Sequence, residues 1–103
     1  MLDQDASAFV VVDIWRGKPG KRDELRQVLT EAGRRFRTHA GVLSVDYTLL
    51  DNDHDRYLVV FRYVNAAARE AFVATRDLKD TMSRLSELWD LESPIYFGIP
   101  AGF

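Results

Sequence analysis

Two stretches of this chain are apolar on both sides at once, and that restricts the folds open to it. Alternate side chains of an extended strand point to opposite faces. Along Phe9-Val10-Val11-Val12-Asp13-Ile14-Trp15, one face carries Val10, Val12 and Ile14. The other carries Phe9, Val11 and Trp15, with Asp13 among them. From Tyr57 to Val64, one face holds Leu58, Val60 and Val64 with Arg62, and the other holds Tyr57, Val59, Phe61 and Tyr63. β-branched and aromatic residues of this kind suit strands. A sheet built from both stretches needs cover above and below.

The remaining segments supply helices for one side. Gly17-Lys18-Pro19-Gly20 breaks the first strand. A helix is expected over 21–39, where Leu25, Val28, Leu29, Ala32 and Phe36 form one stripe. Asp23 and Glu24 at its start, and Arg34, Arg35 and Arg37 near its end, suit the helix dipole. Gly41 is a natural stop. Gly33 inside the helix costs roughly 1 kcal/mol against Ala. Strands over 42–50 and 56–64, linked by the polar run Asp51-Asn52-Asp53-His54-Asp55, read as an antiparallel hairpin. Asn65 is a plausible N-cap for a helical piece over 66–74. A second piece over 77–89 places Leu78, Met82, Leu85 and Trp89 on one stripe. A last strand over 91–98 must lie at an edge, because Pro94 lacks an N–H. Residues 1–7 read as a polar N-terminal tail and residues 100–103 as a C-terminal tail.

This order predicts an α+β protein, a ferredoxin-like βαββαβ domain with an antiparallel sheet. Two helices on one side can cover only one face. Burying each large apolar side chain left over is worth roughly 1.5–3 kcal/mol, and a monomer rarely leaves such a patch wet. A second copy presenting the same face is the simplest cover, so a homodimer is expected.

The 103 residues fit one domain. The formal charge of −2 gives no footing for a nucleic-acid partner or a polybasic membrane anchor. With no cysteine, disulfides, thiolate nucleophiles and zinc–thiolate sites are excluded. The acidic start Met1-Leu2-Asp3-Gln4-Asp5 has no apolar signal-peptide core, and no apolar run is long enough to span a bilayer. A cytoplasmic protein is expected.

Asp13 is the residue that most invites a chemical role. A carboxylate inside an apolar strand needs a partner or a raised pKa, and a raised pKa suits a general base near neutral pH. The alternatives are a structural ion pair with an arginine or a strand-end position that reaches water. Arg62 is the matching anomaly. It could hold an anionic or enolate oxygen of a substrate, or serve as the structural partner of Asp13 or Asp46. Trp15, Phe36, Tyr47, Tyr63, Phe72, Met82 and Trp89 could line a pocket for a planar ligand or form core. The Tyr47 and Tyr63 hydroxyls would need partners if buried. His39 fits a helix end and His54 a turn, and their spacing forms no metal site. The Asp51–Asp55 run lacks the glycine and late glutamate of a calcium loop. No phosphate loop, nucleophile elbow or dinucleotide fingerprint is present, so no cofactor is expected.

Lys18-Pro19-Gly20-Lys21-Arg22-Asp23-Glu24-Leu25 after a valine-rich strand, the Ala40-Gly41-Val42 step and the Ala-rich start of the second helical region together resemble the antibiotic biosynthesis monooxygenase-like (ABM) family, over roughly 8–99. The resemblance implies a dimeric α+β barrel, sheet against sheet, with a small molecule between each protomer's sheet and helices. It implies activities such as oxidation of polyketide-type aromatics without metal or flavin, heme degradation, quinone-related chemistry or sugar isomerisation. The chain departs from family patterns in places. Arg62-Tyr63-Val64 stands where many members end the strand Glu-x-Trp, and Ala71–Thr75 lacks a histidine that many carry. Of the Asn, Trp and His used by the heme-degrading branch, Asp13 replaces the first, and the others fall near Val73 and Ser83. The leading expectation is a cofactor-independent monooxygenase acting on a small aromatic, quinol or polyketide-like substrate. A non-oxidative isomerase or cyclase on the same scaffold and a non-catalytic small-molecule-binding dimer are the alternatives.

Overall fold

The computed structural model describes residues 8–103; the tail expected at 1–7 lies outside the described residues. The chain runs β1 (Phe9–Gly17), α1 (Arg22–Phe36), β2 (Val42–Leu50), β3 (Asp53–Tyr63), α2 (Ala66–Val73), α3 (Arg76–Leu85), β4 (Trp89–Leu91) and β5 (Tyr96–Gly98). All strand pairs are antiparallel, in the order β2-β3-β1-β4, with β5 also on β1. This is the expected ferredoxin-like α+β sheet with its central β1–β3 pair.

Several element ends differ from expectation for local reasons. α1 stops at Phe36 because tighter bonds take over: the Thr38 N–H donates to Arg35 O, and the His39 N–H to Phe36 O. Gly41, at φ +84°, then turns the chain. A side chain there would also collide with α2, since a methyl on Gly41 would sit 2.6 Å from Ala68 Cβ. β3 begins at Asp53 rather than 56, leaving Asp51-Asn52 as the turn. α3 ends at Leu85, so Trp89 is not on its stripe but opens β4.

The last strand is split in two around Ser93-Pro94. The break is bridged rather than left open. The Ile14 N–H donates to Ser93 Oγ at 2.8 Å, and the Glu92 N–H donates to Ile14 O at 2.8 Å. Both pieces pair only with β1, which makes them the edge that Pro94 requires.

Register fixes the two faces, because directly paired residues share a side. Asp13 pairs with Val59 and Trp15 with Tyr57, facing the helices. Val12 pairs with Val60, Ile14 with Leu58 and Val10 with Arg62, facing away. The helix side holds two buried clusters. One joins Leu25, Val28 and Leu29 of α1 to Tyr57, Val59, Leu85, Leu88 and Trp89. The other joins Ala32 and Phe36 to Val11, Val42, Val45, Tyr63 and Phe72. On the uncovered side, Val10, Val12, Ile14, Leu58 and Val60 are only half-buried, and Tyr96 is 57% exposed. Ion pairs rim this apolar strip: Glu92 bridges Arg16 and Arg56 at 2.7 and 2.8 Å, and Arg62 meets Asp46 at 3.6 Å.

Candidate active site

Between the two buried clusters the packing leaves a half-open cavity of about 150 Å³, walled by the sheet, the three helices and the start of the last strand. Asp13 enters it from the middle of β1, flanked by Trp15, Tyr63 and Tyr47 on the sheet. Phe36 closes it from α1, Phe72 from α2 and Met82 from α3, while Trp89 forms the end wall from β4. The fold therefore gathers Asp13 and all seven of the expected pocket-lining residues around one space.

Arg62 is the exception. It pairs with Val10 and so points to the opposite face, where it is half-exposed and sits beside Asp46. Among its two expected structural partners it meets Asp46 and not Asp13. A substrate oxygen inside the cavity is out of its reach, because the sheet lies between them.

Asp13 has an unusual environment for a carboxylate. It lies mid-strand, so the strand-end explanation fails, and among the described residues no cation pairs with it. Its hydrogen-bond donor is the Trp15 indole, Nε1 to Oδ1 at 2.7 Å. Burial pushes its pKa up, and the Trp15 bond pulls it partly back. Trp15 is held in turn by stacking on Trp89, centroids 4.6 Å apart. The Trp89 Nε1 is buried and has no acceptor.

The two tyrosines stay neutral. Burial pushes the Tyr63 hydroxyl up to about 12, with Arg69 lowering it and Asp13 raising it. Burial raises Tyr47 as well. Tyr47 also partitions the cavity from a wider open groove of about 420 Å³ between α1 and β2. Gly33 makes room for it: a methyl there would approach the Tyr47 ring to 3.3 Å, which accounts for a glycine inside a helix. Asp46 in that groove lies 3.6 Å from Arg62.

Sequence reasoning missed Arg69, the only cation in the cavity wall. Its signal was its place in α2, three and four residues before Phe72 and Val73 on the inward stripe. It missed Ile95 too, the one exposed member of the wall and hence its mouth. His39 does not merely end α1. Its Nε2 lies 2.8 Å from Asp77 Oδ2, and Arg35 reaches the same carboxylate at 3.1 Å, tying α1 to α3. Of the three arginines near the end of α1, Arg35 and Arg37 are engaged, Arg37 by donating to Val45 O. Among the described residues, no three His, Asp or Glu side chains converge as a metal ion would require.

The fold is that of a ferredoxin-like α+β protein, with an aromatic cavity that holds the half-buried Asp13 carboxylate. This chain belongs to the antibiotic biosynthesis monooxygenase family, whose profile matches residues 7–84. Solved structures agree on the fold. A Chloroflexus aurantiacus protein, provisionally named an antibiotic biosynthesis monooxygenase, superposes with a TM-score of 0.78 at 20% identity, covering 94% of this chain and 96% of that one. A Shewanella oneidensis protein gives 0.78 at 20% identity, covering 97% and 95%. A Nitrosomonas europaea protein with the same provisional name gives 0.78 at 14% identity, covering 98% and 95%. No curated protein matches significantly. No helix among the described residues is long and apolar enough to cross a membrane.

Proposed function

We propose that this protein is a cofactor-independent monooxygenase for a small aromatic or quinol substrate, with Asp13 as its general base. The observation that carries the reading is the Asp13 carboxylate, held in an aromatic cavity with an indole N–H as its donor and, among the described residues, no cation to neutralise it. Burial raises the pKa of such a group and so makes it a stronger base. The substrate carbanion or phenolate then passes electrons to O2 and forms a C–O bond. A CH2 group becomes C=O as water leaves, so one oxygen atom stays and the other departs with both hydrogens. The aromatic walls exclude bulk water while this happens. Family membership supports the reaction class.

Oxygen uptake with a panel of hydroxyanthrones and quinols tests it. Uptake above the buffer control, lowered roughly 10²–10⁴-fold in Asp13→Asn, is expected. Uptake at the control rate across the panel counts against it. Turnover that persists without oxygen would instead favour an isomerase or cyclase using the same base. The working unit would be a homodimer, since members of the family are generally dimeric and the half-buried strip of Val12, Ile14, Leu58 and Val60 needs a cover.

A further inference from the structure

We infer that the cavity selects a single-ring hydroxyaromatic acid, its carboxylate held by Arg69 and its ring oxygen turned toward Asp13. This rests on the small-molecule reading above and narrows its substrate class. Size comes first. An apolar cavity of about 150 Å³ holds one benzene-sized ring. Tricyclic and tetracyclic substrates exceed that space.

Charge comes second. Arg69 is the only cation in the wall, is half-buried, and makes no ion pair among the described residues. Its guanidinium carbon sits 5.0 Å from the Phe97 ring centroid. That contact fixes the plane of the group through its face and leaves its N–H edges available. A planar fork with free donors in an apolar wall matches a carboxylate.

Placement of the two charges comes third. Arg69, from α2, and Asp13, from β1, both line the cavity and, among the described residues, form no ion pair with each other. The cavity therefore offers one ligand both a cation and a carboxylate. A ligand with a carboxylate at one end of its ring and a hydroxyl at the other satisfies both groups. Its hydroxyl gives its proton toward Asp13.

Binding in the absence of oxygen tests this apart from catalysis. Trp15 and Trp89 are the chain's two tryptophans and both line the cavity, so their fluorescence reports occupancy. The probes are 4-hydroxybenzoate, its neutral analogue 4-hydroxybenzamide, and 1,8-dihydroxyanthrone. The acid should bind best. Arg69→Gln should weaken the acid by at least about tenfold and leave the amide unchanged, with Arg69→Lys in between. Met82→Trp, which fills the cavity, should abolish quenching by both; circular dichroism checks that each variant folds. Equal binding of acid and amide, tighter binding of the tricycle, or no binding of any probe would overturn the inference. Acid binding without oxygen uptake would sink the oxygenase reading alone. Uptake with tricyclic substrates only would sink this inference alone.

Discussion

At the scale of single residues, Asp13 makes the sharpest predictions. Its folded-state pKa is raised above the ordinary 3.8 by burial. Between 3.8 and that raised value the native state holds more protons than the unfolded chain, so stability falls as pH rises through this window. Above it the full penalty of a buried charge remains. Asp13→Asn keeps an oxygen for the Trp15 N–H and removes the charge. It should therefore melt higher than the parent at pH 7, with the gap closing below pH 3.8, as thermal melts across pH would record. The same residue should set the acid limb of kcat/KM, placed above the usual carboxylate range and absent in the Asn variant. Trp15→Phe deletes the donor and should move that limb further up. Asp13 was visible in the sequence because it interrupts an apolar strand. The role of Arg62 was not, since strand parity separates it from Asp13 only once the β1–β3 register is known.

At the scale of elements, the βαββαβ order was readable from periodicity and from the glycine and proline breaks. What escaped were features decided by tertiary contact. Trp89 continues a helical spacing with Leu85, yet it leaves the helix to stack on Trp15, a partner distant in sequence. The last strand looked continuous because its split depends on Ser93 reaching Ile14. Arg69 looked like one solvated cation among many until α2 docked. The β2–α2 junction offers a test of how tightly the elements are fitted. Gly41→Ala imposes a left-handed backbone on a side chain and drives a methyl against Ala68. It should cost roughly 2–4 kcal/mol in chemical denaturation. Adding Ala68→Gly should recover the contact part of the loss and leave the backbone part.

At the scale of the whole molecule, the half-buried sheet face is where the proposed second copy would sit. Sedimentation at micromolar concentration should show a species of twice the 11.8 kDa protomer mass. Val12→Lys with Val60→Glu places charges in the middle of the strip, away from the cavity. It should yield monomers, and a wild type that sediments as a monomer would refute the shared-sheet arrangement. One further consequence follows from the divided last strand. Its two pieces are three residues each, against eleven for β3, and Ile95 at the cavity mouth lies between them. In deuterium exchange, the amides around Ser93–Phe97 should label far sooner than those of β1 and β3. A mouth at Ile95 would thus lie between the two shortest strands of the sheet, so that a guest could pass to Asp13 without loosening β1 and β3.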